Sequence, residues 1–364
     1  MFRGKTLHLA LSLVFYSSLT VFGQWSAANS GTTNNLNGGY LLDSGVGFVV
    51  GDAGTILKTT DAGMTWSPVT SGTTNGLYDV YFFDATQGVA VGELGLILRT
   101  TDGGARWQGV SSGVTDALRA ISFSGVNGIS AGDSQDILYS TDAGSSWQIG
   151  QSGFFGPPFL GAHMFSSKVG FVTGQNAIFQ PWIGTSTDGG ASWAPGNFHP
   201  FYFDGNEGGG TDVFFFDQNT GLVSGSVFDG RGAIARTTDA GVNWSTVFFD
   251  QAIQGLDFPQ TTSGFAAGAG GRISHSTNAG ITWSDQSSGT SNNLNHVSFA
   301  SDALRGIAVG DSGTIVLTAN GGEPGGTPTP TVTPSVTPRP TPTPRARPTP
   351  PPRPSNPSRL RDDS

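Results

Sequence analysis

The phrase Ser/Thr-x-Asp/Asn-x-Gly-x-x-Trp returns six times along this chain. It reads TTDAGMTW from Thr59, TTDGGARW from Thr100, STDAGSSW from Ser140, STDGGASW from Ser186, TTDAGVNW from Thr237 and STNAGITW from Ser276. A shortened seventh copy, TANGG, starts at Thr318. The tryptophans Trp66, Trp107, Trp147, Trp193, Trp244 and Trp283 lie 41, 40, 46, 51 and 39 residues apart. A period near 40 demands a repeat architecture, in which each unit buries its apolar face on its neighbours. Residues present in every unit are expected to build the scaffold rather than a unique site.

Each unit has one grammar. In the second, LYDVYFF, QGVAVG and GLILRTT precede the Asp-Gly phrase, and WQGV follows it. Short runs of β-branched and aromatic residues cut by Gly and Asp are strands joined by hairpins. Four strands per unit, seven units and no helical periodicity predict an all-β, seven-bladed β-propeller of four-stranded antiparallel blades. We name the strands A to D from the channel outward. The 56 glycines suit many tight turns. Within the phrase, Asp61, Asp102, Asp142, Asp188 and Asp239 are expected to cap their own turns, with the following Gly left-handed and the Trp covering the hairpin. Asn278 and Asn320 replace Asp in two copies, and an amide still accepts backbone N–H groups there while making a poor metal ligand.

The last unit ends at TANGG and lacks a strand D. QWSAANSGTTNNLN from Gln24 aligns with TWSDQSSGTSNNLN from Thr282, so Trp25 stands where each strand D carries its Trp. The expectation is a blade seven built from both chain ends, which removes an exposed edge. Trp182 is then the one Trp outside the repeat.

Residues 1–23 read as a secretory signal peptide, with Arg3 and Lys5 before a mostly apolar Leu7-to-Phe22 run; an uncleaved anchor is the alternative. The propeller is expected over 24–323. From 324 to 364 the Pro/Thr/Arg-rich composition cannot form a core and suits an extended spacer. Without cysteine, neither a disulfide framework nor a lipid-modified cysteine is available. Of 17 bases and 26 acids, two bases fall in the leader, and six bases with two acids in the tail, leaving 24 acids against nine bases between them. So acidic a body argues against nucleic acid as partner.

On a propeller the B–C turns and D–A crossings share one face. Most crossings are short and alike, and two break the pattern: SGFFGPPFLGAHMF from Ser152 and PGNFHPFYFDGNEGGGTD from Pro195. The B–C turns of the same two blades, GQNAIFQPWIG and GSVFDGRG, are also enlarged. These segments bring forward Phe154, Phe155, Phe159, Trp182, His199, Phe201, Tyr202, Asp229 and Arg231 as a binding patch, with Phe203 beside them; aromatics next to polar groups suit a protein or a sugar. Burial of those rings within their own blades is the alternative. Asp204, Asn206, Glu207 and Asp212 lie close in sequence but miss the spacing of a calcium loop, so no metal or cofactor is expected. No residue is assigned a catalytic role.

The Asp phrase resembles the Asp-box, or bacterial neuraminidase repeat, a folding element remote from active sites in its family. The whole unit resembles that of the photosystem II stability/assembly factor-like propellers, carried in blade two by Phe83, Asp84, Gly88, Val91, Gly92, Gly95, Thr101, Asp102, Gly104 and Trp107. The resemblance spans roughly residues 24–322. It implies a chaperone-like scaffold that binds a protein partner; that family's basic patch is not apparent here. The propeller is expected to be monomeric and secreted or in the cell envelope. Glycan binding and a sialidase-like glycoside hydrolase are the rival readings. The Arg-Ile-Pro signature of sialidases is absent, and no spacing selects three of Arg99, Arg119, Arg231, Arg236, Arg272 and Arg305. Two carboxylates about 5–10 Å apart suffice for other hydrolases.

Overall fold

The computed structural model describes residues 25–151, 158–175, 181–195, 208–227 and 229–323. The chain divides into Met1–Thr329 and Pro330–Ser364, and every described residue lies in the first. These residues form seven four-stranded antiparallel sheets, the blades of a β-propeller. Blade two is typical, with strand A at Leu77–Phe82, B at Gly88–Gly92, C at Ile97–Thr100 and D at Gln108–Val110. Strand B is wholly buried in most blades, as Gly-Val-Ala-Val-Gly in blade two, because both its faces pack against neighbouring sheets. Stacked Phe pairs join successive blades: Phe48 lies 3.8 Å from Phe82, Phe171 3.6 Å from Phe215, and Phe265 3.6 Å from Phe299. Gly92 ends strand B where a Cβ would lie 2.1 Å from the Gly76 carbonyl oxygen of the incoming crossing. Only glycine lets those two backbones approach.

Blade seven closes as the alignment predicts. Strand D is Ser26–Ala28, paired with strand C at Thr314–Thr318. Trp25 is buried, meets Phe299 edge-on at 5.6 Å, and donates its Nε1–H to Gln286 Oε1 at 2.9 Å. Gln286 Nε2 donates in turn to the Gly321 carbonyl. In three other blades the Trp bonds its own turn: Trp66, Trp193 and Trp244 donate Nε1–H to the Gly63, Gly190 and Gly241 carbonyls. Gln286 thus replaces a local bond with one that ties the two chain ends through blade six.

The repeated turn works as a compact hydrogen-bond knot. In blade two, Thr100 Oγ1 donates to Asp102 Oδ1 and accepts the Gly104 N–H at 2.9 Å, while Asp102 Oδ1 also accepts the Arg106 N–H. The backbone bond from Arg106 holds the Asp102 carboxyl below its ordinary range. Asn278 Oδ1 accepts the Thr282 N–H in the same way. One feature was not anticipated. The residue before the Gly is left-handed too, and in four blades it is alanine: Ala62, Ala143, Ala240 and Ala279 have φ between 57° and 59°.

Candidate functional site

Most of the irregular-loop patch lies outside the described residues: Phe154, Phe155, His199, Phe201, Tyr202 and Phe203. Of the rest, Phe159 departs from the expectation. It belongs to strand A of blade four (Phe159–Met164), is 2% exposed, and takes the core position that Leu36, Leu77, Leu118 and Leu294 fill in four other blades. Trp182 is half-buried in strand C of the same blade (Pro181–Ser186), its ring 5.3 Å from that of Phe159. Asp229 and Arg231 do come together on the B–C side of blade five. Arg231 Nε donates to Asp229 Oδ2 at 2.8 Å, and its guanidinium lies 5.0 Å from the Phe248 ring centroid. Asp212 is not part of a loop ligand set. It sits in strand A of blade five (Gly208–Phe215), in the channel wall; Asp204, Asn206 and Glu207 lie outside the described residues.

The channel holds the chemistry that sequence reasoning missed. Strand A is the inner edge of every blade, so one side of its backbone has no partner strand. Such buried N–H and C=O groups must be satisfied. Each blade does this with a polar side chain reaching into the next strand A. Asn37 Nδ2 donates to the Leu77 carbonyl at 2.9 Å. Asp79 Oδ2 accepts the Ile121 N–H at 2.9 Å, and Ser122 Oγ accepts the Met164 N–H at 2.9 Å. His163 Nε2 donates to the Phe215 carbonyl at 3.1 Å. Asp212 Oδ2 accepts the Leu256 N–H at 2.8 Å, Asp257 Oδ2 the Phe299 N–H at 2.6 Å, and Ser298 Oγ the Leu41 N–H at 3.1 Å. All seven joints are stitched. A bulge in every A–B pair, at Asn37, Tyr78, Arg119, Leu160, Thr211, Gln254 and Asn295, turns one extra side chain toward the channel.

Asp79, Asp212 and Asp257 are enclosed by protein yet face the channel, a cavity of about 350 Å³. Burial raises each carboxyl to about 7, against the lowering effect of the N–H groups they accept. Raised carboxyls in a cavity are what a glycoside hydrolase needs. Here both oxygens of Asp79 and Asp212 already hold backbone N–H groups, Asp79 those of Val80 and Ile121 and Asp212 those of Val213 and Leu256. They are joints first. The arginines do not converge as a carboxylate clamp would require. Arg119 is bidentate to Asp133, Arg272 pairs with Asp250 and Asp285, and Arg305 with Asp302. Arg99 and Arg236 donate to the left-handed residues of the next turn, at the Ala143 and Ala279 carbonyls. Among the described residues no group of three His, Asp or Glu is placed to hold a metal, and no helix is long and apolar enough to cross a membrane.

A sequence profile described as photosynthesis system II assembly factor YCF48 matches residues 65–197. No curated protein sequence matches the chain. Among solved structures, YCF48 bound to a D1 peptide superposes with a TM-score of 0.63 at 20% identity, covering 82% of this chain and 98% of that one. YCF48 from Cyanidioschyzon merolae gives 0.63 at 18% identity, with 81% and 98% covered. The GH74 enzyme of Niastella koreensis gives 0.61 at 15% identity over 80% of this chain and 53% of that one. At these identities the likeness is one of fold.

Proposed function

We propose that this chain, a β-propeller whose residues 65–197 match the photosynthesis system II assembly factor YCF48 profile and whose fold is that of YCF48, is a non-catalytic scaffold that binds a protein partner during assembly, chaperone-like. The observation that carries this reading is the propeller of the same fold in complex with a peptide, matched over nearly its whole length. The stitched channel agrees with it, since the buried carboxyls there are committed to backbone bonds. A rigid ring with variable loops suits recognition by preformed surfaces. We place one contact on the D–A and B–C face of blades four and five, where Arg231 and Asp229 are exposed together. The leader-like residues 1–23 support export, with the envelope as the site of action.

The test is affinity capture from envelope extract with the full chain as bait, alongside Arg231→Ala. Interface arginines dominate binding energy often enough that about a tenfold loss of affinity is expected. Recovery of a protein by the wild type, weakened in the variant, supports the reading and the face. Recovery of glycan alone, or of nothing, overturns the reading; equal recovery by both proteins overturns only the face.

A further inference from the structure

The channel and a second cavity lie side by side, and both are lined by carboxyls. The second, of about 510 Å³, opens on the A–B turn face and is lined by Tyr40, Leu42, Asp43, Asp84, Asp257 and Ser298, among others. Tyr40, Asp257 and Ser298 line both cavities. Among the described residues no lysine or arginine lines the second cavity. Arg119 is the one such described residue lining the first; it is held by both oxygens of Asp133 and stacked 4.3 Å over Tyr78. Further in, aromatic rings face the space, with Tyr40 and Tyr81 at 4.9 Å and Phe214 across the wall.

Among the described residues one buried ring atom of this wall has no hydrogen-bond partner. His296 occupies the strand A position that Asp79 and Asp212 fill in their blades, yet its Nδ1 is buried without a hydrogen bond. The ring is enclosed by protein and lines the channel. A buried polar atom left unsatisfied calls for a missing partner. Burial holds the imidazole near 4, so at neutral pH it is uncharged and offers an acceptor. The carboxylates bond one N–H per oxygen and keep lone pairs free for another donor.

We propose that the two cavities together are a socket for a cationic side chain, the guanidinium or ammonium of an Arg or Lys presented by the partner protein. The inference rests on the partner-binding reading above and names the chemistry of the contact. The cation enters past Asp43 and Asp84, lies against Tyr40 and Tyr81, and donates to Asp257 and His296. Rings and carboxylates together select for positive charge over a neutral group of the same shape. A bound cation also favours ionised carboxyls, so binding near pH 6.5 releases protons.

The probe is N-acetyl-arginine amide on the full chain, with N-acetyl-citrulline amide as neutral isostere. Binding is followed by the ring resonances of His296 and by calorimetry in buffers of different ionisation heat. The expected result is saturable shifts at His296, at least about tenfold weaker binding of citrulline, proton release, and a similar loss in Asp257→Asn. Since Asp257 also holds a joint, Asp84→Asn, at the mouth and outside every joint, is run beside it; its carboxylate caps its own turn through Thr86 and Gln87, so the readout is selectivity: weaker binding of the arginine probe with binding of the citrulline probe unchanged. Equal binding of the isostere, or no shift at His296, overturns the socket. Displacement of captured partner by excess arginine probe supports a protein side chain as occupant. Spermidine shifting the same resonances while captured partner stays bound overturns that occupant. Failure to capture any protein overturns the partner reading, independently of the probe result.

Discussion

The Asp turn shows how a residue's role is set by what it bonds rather than by its charge. Thr100 is 1% exposed and satisfies the buried Gly104 N–H, whereas Asp102 stands in solvent and orders the loop around it. Thr100→Val should therefore orphan a buried donor and cost about 1–3 kcal/mol, read from the urea midpoint. The left-handed alanines make the opposite case. Non-glycine residues pay about 1–2 kcal/mol for that conformation, offset in part by the extra entropy a glycine loses on folding. Gly103 and Gly189 already occupy the position in blades two and four. Ala143→Gly should stabilise by up to about 1 kcal/mol, checked by thermal melting; a lowered melting point would show that the turn favours alanine through the unfolded chain.

Among the elements, the strands were legible because period-two apolar runs and Gly-Asp turns repeat with the same offsets, and the Trp25 alignment disclosed the closing strand. Trp25→Ala should open blade seven at a cost of about 3–5 kcal/mol. It also leaves Gln286 without its partner. Trp66→Ala should cost less, since Trp66 is half-buried and bonds only its own turn; paired denaturation curves decide. Phe159 was misread because an aromatic after a long loop looks like loop. Its register opposite Gly174 makes it the first residue of strand A. The stitches were invisible for a different reason. The joint residue is Asn, Asp, Ser or His in different blades, so the function repeats while the letter does not. An Asp inside LYDVYFF or GTDVFF was the available signal, a carboxylate in a run that otherwise reads as buried strand.

For the whole ring, the channel sets the response to pH. Asp79, Asp212 and Asp257 rise to about 7 on folding, so their contribution is fully present below the ordinary carboxylate range and is lost as pH climbs through 7. His163 and His296 fall to about 4, so theirs is present above 6.5 and is lost as pH falls toward 4. Three contributions that fall with pH against two that rise leave a net loss equal to one group's between about pH 4 and 6.5, and the carboxyls then act alone up to about 7. Stability should thus fall from pH 5 through 6.5 and on to 8, with a smaller drop in Asp212→Asn. A melting temperature that rises from pH 6.5 to 8 would contradict this account.

The closing strand also decides how the ring meets a pulling force. Ser26 pairs with Leu317 and Ala28 with Ile315, antiparallel, so residues 26 and 318 leave blade seven at the same corner. Tension applied between those two points does not shear the three pairs together. It peels them in sequence, Ser26 first, as a zipper opens. Six blades closed by covalent hairpins carry no load until the seventh has parted, so the propeller is a loop with one latch, weak against a tug at its own two ends.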